Sequence, residues 1–213
     1  MKRSILLIVF AALSFGSFAQ LTDYKFHLYG RAGVGSVQSV MYNSYSLNAE
    51  FLFKNKFGIN YNFDYVTRQD DLRNIHLTMG ILGAPVLFGI GLVNSLDSDT
   101  TDSGGFGIVA GIALLALPDG ISYQITPKYG WDISPYANML GLDFIKNRKT
   151  GETYLKYACS FGLKSSYLFK ERFTLSGFIE TRQAAGFGWS IGGGIGVGAV
   201  FGKREPLGTG NPE

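Results

Sequence analysis

FGINYNFDY, residues 57–65, alternates at every position: Phe57, Ile59, Tyr61, Phe63 and Tyr65 fall on one side, Gly58, Asn60, Asn62 and Asp64 on the other. A period of two marks a β-strand with one apolar and one polar face. The pattern recurs along the chain. Residues 45–53 set Tyr45, Leu47, Ala49, Phe51 and Phe53 against Ser46, Asn48, Glu50 and Leu52, and the polar KNK at 54–56 joins the two stretches as a hairpin. Residues 173–180 set Phe173, Leu175, Gly177 and Ile179 against Thr174, Ser176, Phe178 and Glu180, after the tight polar turn LFKER. Residues 155–164 set Leu155, Tyr157, Cys159, Phe161 and Leu163 against Lys156, Ala158, Ser160, Gly162 and Lys164.

A soluble sandwich also alternates, so the class depends on what each face carries. The apolar face holds Phe, Tyr, Ile and Leu with no charge in mid-strand, whereas the other holds Glu50, Asp64, Lys156, Lys164 and Glu180. A Lys or Arg facing lipid at the bilayer midplane costs about 2–4 kcal/mol, so a charge-free outer face is what a membrane demands. Aromatic residues crowd the strand ends: Phe51, Phe53 and Phe57 at one turn, Tyr167, Phe169 and Phe173 at another, Phe187 and Trp189 at the start of the last strand. These are candidate interface girdles. The pattern therefore reads as lipid outside and a polar interior within.

Composition points the same way. The 29 glycines are about twice ordinary usage, and 16% charged residues is well below the usual quarter. No G-X-Y period supports collagen, and 46% hydrophobic residues argue against disorder. Lys2 and Arg3 precede an apolar run from Ile5 to Leu13, and Ser17-Phe18-Ala19 then presents small residues before Gln20. Residues 1–19 thus read as a cleaved secretory signal, too short for a spanning helix. Without Lys2 and Arg3, 17 basic residues face 16 acidic ones, which offers no electrostatic case for nucleic acid. Cys159 is the only cysteine, so an intramolecular disulfide is impossible; it reads as a small apolar strand residue.

In these repeated strands, tight polar turns and aromatic strand ends, the chain resembles the small outer-membrane β-barrel proteins of diderm bacteria, a porin-like class, over nearly all of its mature length. The resemblance is one of pattern and turn style. It implies an all-β, closed antiparallel transmembrane β-barrel in the cell outer membrane, with both termini in the periplasm, short periplasmic turns and longer outer loops. Its surroundings would be outer-membrane lipid and lipopolysaccharide, and its biogenesis would use the barrel-assembly machinery. The domain reading is signal peptide 1–19, barrel 20–201 and periplasmic tail 202–213. The tail departs from the class, because Phe201 closes the last strand and GKREPLGTGNPE follows.

Turn parity favours ten strands, near 24–38, 44–54, 57–66, 72–82, 86–93, 105–117, 131–145, 153–168, 171–183 and 186–201, with eight as the alternative. LGAP at 82–85 is read as a turn and residues 118–130 as a long periplasmic connection; RQDD, NSLDSDTTDSGG, KNRKTGE and TRQAAG fall outside. Residues 77–93 and 106–117 are apolar on both faces, but GAP at 83–85 interrupts the first and the second has only about a dozen residues, so neither makes a spanning helix. As strands they place Gly89, Gly91, Val109, Gly111, Ala113 and Leu115 inward. The last strand adds Gly188, Ser190, Gly192, Gly194, Gly196 and Gly198.

The expected lumen network comprises His27, Tyr29, Arg31, Glu50, Asn60, Asn62, Asp64, His76, Lys156, Lys164 and Glu180, its large side chains reaching toward the glycine wall. In a barrel this narrow, sealed charges must pair. Arg31 stands opposite Glu50 if the first hairpin is centred between Val40 and Met41. The resemblance extends to outer-membrane lipid-A deacylases and acyltransferases, in which a histidine activates a serine. His27-Leu28-Tyr29 and His76-Leu77-Thr78 lack the His-x-Ser arrangement of the deacylases, so no catalytic residue is assigned. Asp97, Asp99 and Asp102 depart from the EF-hand pattern, lacking its sixth-position glycine and closing glutamate, so no metal or cofactor is expected. The favoured function is a non-enzymatic, side-chain-filled barrel with a structural or surface-interaction role toward a surface ligand or protein partner that the sequence leaves open. A narrow channel or binding barrel for small, hydrophobic molecules, suited to Val109, Ala113 and Leu115, is the alternative; a lipid-A-modifying enzyme ranks third.

Overall fold

The computed structural model describes residues 23–53, 56–78, 117–125, 131–184 and 188–203, with the single positions 89 and 109. Its strands are β1 (Tyr24–Val37), β2 (Val40–Leu52), β3 (Phe57–Arg68), β4 (Leu72–Thr78), β5 (Gly120–Tyr123), β6 (Trp131–Asn147), β7 (Thr153–Phe169), β8 (Phe173–Ala184) and β9 (Gly188–Lys203). Every pairing is antiparallel. The ladder runs β1-β2-β3, then β4 and β5 sharing one stave, then β6-β7-β8-β9 and back to β1. Among the described residues, nine strands thus close a ring that is eight staves round. Closure removes the free edges that make open sheets prone to aggregate.

β4 and β5 share a stave because both lie between β3 and β6. Phe63–Thr67 of β3 pair with β4 and Phe57–Asn60 with β5. Two expectations change here. Residues 118–130 are not merely a connection, since Gly120–Tyr123 forms β5 and Ile125 bridges Ile133. Gly89 and Val109 are helical rather than extended, and Val109 is 66% exposed rather than luminal. The rest of 86–93 and 105–116 lies outside the described residues, as do LGAP at 82–85, the signal segment and positions 204–213. No helix among the described residues is long and apolar enough to cross a membrane, which says nothing of strands. β9 runs two residues further than expected, to Lys203.

The first hairpin also differs. Val37 pairs with Val40 across a two-residue turn, Gln38-Ser39, in which both residues have positive φ (49° and 69°). This mirror-image turn matches the twist of the flanking strands, but normally announces itself with Asn-Gly or Asp-Gly. Its position puts His27, not Arg31, opposite Glu50, and Arg31 opposite Ser46.

Polarity is inverted relative to a soluble protein. Large apolar side chains such as Leu47, Phe63, Leu155, Ile179, Ile195 and Val197 are exposed on the outer wall, while Arg31, Glu50, Asn62, Asp143 and Lys164 are buried inside. A soluble domain seldom exposes so large an apolar surface. At the terminal end, where Tyr24 meets Lys203, aromatic rings pack in pairs: Phe26 with Phe51, Phe57 with Tyr123, Trp131 with Tyr167 and Phe169 with Phe173.

Gly192, Gly194, Gly196 and Gly198 of β9 face inward and bring β1 and β9 close. A Cβ on Gly194 would lie 2.1 Å from the Ala32 carbonyl oxygen, and one on Gly198 would lie 2.5 Å from the Leu28 carbonyl oxygen and from Tyr29 Cβ. Main chain of the neighbouring strand, as much as any side chain, therefore excludes larger residues. Gly194→Ala is expected to cost about 1–3 kcal/mol through overpacking. The readout is the temperature at which the barrel loses its faster unheated gel migration. Gly177→Ala, whose Cβ would meet only Gly194 oxygen at 4.0 Å, is the matched control and should leave that temperature unchanged.

Candidate functional site: the lumen network

Inward positions of eight staves converge on one narrow interior, so the lumen is where this chain concentrates its chemistry. It is layered. At the terminal end Tyr24, Leu52, Leu168 and Val200 form a buried apolar cluster, and the Tyr24 hydroxyl donates to the Glu171 carbonyl at 2.5 Å. Apart from that hydroxyl, the cluster packs apolar side chains across this end of the interior.

Above it, Glu50 accepts from Lys164 Nζ at 2.7 Å and from the Ser122 hydroxyl at 2.5 Å, with His27 Nδ1 at 3.3 Å. His27 Nε2 lies 2.8 Å from the Thr174 hydroxyl, and its ring stacks on Tyr29. Lys164 Nζ also sits 4.4 Å from the centre of the Tyr29 ring. Thr174, His27 and Glu50 thus form a hydroxyl–imidazole–carboxylate row, the order of groups that activates a nucleophile. Here His27 and Glu50 are fully buried and Thr174 is 3% exposed. Glu50 is paired with the Lys164 ammonium as well.

The next tier holds the larger cluster. Arg182 Nη1 donates to Asp64 at 2.9 Å, and Nη2 donates to Asp143. His76 lies between Asp143, at 2.7 Å, and Asp119, at 3.2 Å, while the Asn62 amide donates to the same Asp119 oxygen at 2.5 Å. Arg31 donates to Tyr136 and Ser46, both at 3.1 Å, and its charge lies 3.6 Å from Glu180 and 3.8 Å from Asp64. Its guanidinium carbon is 4.6 Å from the centre of the Phe178 ring. Tyr136 in turn donates to Glu180 at 2.7 Å. At the far end a cavity of about 70 Å³, lined by Tyr42, Asp64, Arg68, Asn74, Arg182 and Ser190, has room for a few water molecules.

Of the residues singled out in the sequence, the structure brings His27, Tyr29, Glu50 and Lys164 into the lower tier, and Arg31, Asn62, Asp64, His76 and Glu180 into the upper one. Asn60 is buried in β3. Lys156 is half-buried opposite Asp143 in register and stands outside both tiers. The expected Arg31–Glu50 pairing is replaced by Arg31 with Asp64 and Glu180, a consequence of the tight Gln38-Ser39 turn.

Sequence reasoning missed Arg182, Asp143, Asp119, Tyr136 and Thr174 as network members. Arg182 falls at the overlap of the expected strand 171–183 and the outer turn TRQAAG; β8 runs to Ala184 and buries it inside. Asp132, Ser134, Tyr136 and Asn138 keep an even phase along β6 until a register shift between Asn138 and Gly141 moves Asp143 inward from an odd position. Only the even run was visible as alternation. Cys159 is an unpaired, half-buried thiol. Asp97, Asp99 and Asp102 lie outside the described residues.

A closed antiparallel barrel with an apolar outer wall and an interior packed with paired charges is the class this geometry defines. No protein family and no curated protein sequence matches the chain. Solved structures of similar outline are small outer-membrane β-barrel proteins. Neisserial surface protein A aligns at 9% identity over 83% of this chain and 96% of its own, with a TM-score of 0.49. The N-terminal β-barrel domain of Pseudomonas aeruginosa OprF aligns at 12% over 82% and 97%, with a TM-score of 0.47, and the outer membrane protein OprG from Pseudomonas aeruginosa at 9% over 85% and 99%, with a TM-score of 0.45. The barrel itself is established by this chain's own closed ladder.

Removing one partner from a buried ion pair costs about 3–5 kcal/mol, because the other charge is left uncompensated. Arg182→Met removes the cation between Asp64 and Asp143, leaving Asp64 the more distant Arg31 and Asp143 its His76 and Asn74 contacts, and should lower stability by up to that amount, read from urea unfolding in lipid vesicles. Lys149→Met, which breaks the exposed pair with Asp71, should cost less than about 1 kcal/mol.

Proposed function

We propose that this chain is a small, eight-staved outer-membrane β-barrel protein with both termini in the periplasm. It neither conducts nor catalyses, and its role is structural or lies in what its wall and outer turns meet. The observation that carries the reading is a filled lumen: two tiers of paired side chains above the apolar cluster of Tyr24, Leu52, Leu168 and Val200. The apolar outer wall, with the exposed strand cations Arg73 and Lys146 lying away from the terminal rim, and the aromatic pairs at that rim support membrane residence. Lipid, lipopolysaccharide and the barrel-assembly machinery are the partners this reading brings with it.

A binding barrel for hydrophobic molecules is the second reading; of the residues that suited it, Val109 is helical and exposed, and positions 113 and 115 lie outside the described residues. The far-end cavity is too small for an organic ligand of ordinary size. A lipid-modifying enzyme would need substrate to reach the Thr174 hydroxyl, which is buried with His27. The test is conductance in a planar bilayer. The purified protein should insert and give no steady openings, and steady single-channel steps would overturn the filled-lumen reading. Ile195→Arg, on the outer wall, should meanwhile lower folding yield into vesicles by about 2–4 kcal/mol equivalent if that wall faces the hydrocarbon midplane.

A further inference from the structure

Four positions at the end remote from the termini form one cross-strand row. Thr67 of β3 stands opposite Arg73 of β4, Arg73 opposite Lys146 of β6, and Lys146 opposite Thr153 of β7. Residues directly opposite on antiparallel strands share a face. Ile145, next to Lys146 in β6, is buried inside the barrel, whereas Arg73, Lys146 and Thr153 are exposed, so the row points outward. It reads hydroxyl, cation, cation, hydroxyl.

Two like charges directly opposite each other repel. Among the described residues neither Arg73 nor Lys146 forms an ion pair, and the carboxylates of this end are engaged elsewhere. Asp70 takes Arg68 at 2.6 Å, Asp71 takes Lys149 at 3.3 Å, and Glu152 accepts from the Thr150 and Tyr154 hydroxyls. Arg73 Nη1 donates instead to the Tyr65 hydroxyl at 2.6 Å, which holds the guanidinium against the outer wall. Isolated cations at a membrane boundary stretch toward water one at a time. That behaviour does not require two of them to face each other.

The rows beneath, toward the terminal end, are apolar. Tyr65, Ile75, Phe144 and Leu155 form the next outward row, and Phe63, Leu77, Leu142 and Tyr157 the one after it. One patch of wall thus runs from paired cations and hydroxyls to uninterrupted apolar and aromatic surface. Its complement is an amphiphile with an anionic, oxygen-rich head and hydrocarbon tails. Opposite Cβ atoms lie about 4.5–5.5 Å apart, so both cations reach a single phosphate group. Charge-assisted hydrogen bonds to phosphate oxygens from guanidinium and ammonium are the strong kind.

We propose that Arg73 and Lys146, flanked by Thr67 and Thr153, bind the phosphate of an acylated outer-leaflet lipid whose chains lie down the apolar rows beneath them. The inference rests on the outer-membrane reading above and gives its lipid contact one place on the wall.

The test folds the full chain into phosphatidylcholine vesicles holding a minor share of diphosphoryl lipid A, releases it in nonionic detergent, and counts the retained lipid A by native mass spectrometry. The wild type should retain about tenfold more than Arg73→Gln/Lys146→Gln. Lys170→Gln/Lys203→Gln, which removes two exposed cations from the terminal end, should match the wild type. Faster unheated gel migration checks that each variant is folded. Lipid A stripped of its phosphates should be retained by the wild type about tenfold less, a comparison that needs no variant. Equal retention by wild type and Arg73→Gln/Lys146→Gln, or retention indifferent to the phosphates, would overturn the site. Displacement of lipid A by an equimolar amount of inorganic phosphate would overturn the lipid as its ligand. Failure of the wild type to float with the vesicles after an alkaline wash would overturn the membrane reading instead.

Discussion

Arg182, held between Asp64 and Asp143, is the interaction on which the interior depends. It reaches from β8 to β3 and β6, three staves that share no common ladder, and so couples opposite walls of the barrel. A membrane barrel has little hydrophobic reason to be full, since its apolar surface already faces outward. Beyond the apolar cluster at the terminal end, what fills it is polar, and polar groups withdrawn from water need partners. The upper tier meets that demand by sharing. Asp143 takes Arg182, His76 and Asn74, and Asp119 takes His76 and Asn62.

The lower tier places a reactive order of groups under the same constraint. Thr174, His27 and Glu50 line up as hydroxyl, imidazole and carboxylate, with Lys164 paired to the carboxylate and Thr174 buried. The apolar cluster of Tyr24, Leu52, Leu168 and Val200 lies beneath, at the end where β1 starts and β9 finishes.

The β9 glycines perform a different task. With Gly192, Gly194, Gly196 and Gly198 inward, β1 and β9 approach until the Ala32 and Leu28 carbonyls occupy the space of a Cβ. Phe178 then folds over Gly33 and receives the Arg31 guanidinium on its ring. The glycine wall is thus what gives Arg31 its room and its direction, toward Asp64 and Glu180.

Alternation in residues 45–53, 57–65, 155–164 and 173–180 determined by itself which faces are apolar and which polar, because the period of two is a local property of extended backbone. That is enough for strand identity, for the inward placement of Glu50, Asn62, Asp64 and Lys164, and for the inside-out class. Partner choice was not legible, since it depends on register and closure. A two-residue turn at Gln38-Ser39 without the usual Asn-Gly signal moved Arg31 away from Glu50. A shift at Asn138/Gly141 exchanged the phase of β6 and brought Asp143 inward, and one stave was assembled from segments forty residues apart. Each of these is a relation between strands, set by which backbone lies alongside which, and no single strand carries it in its own sequence.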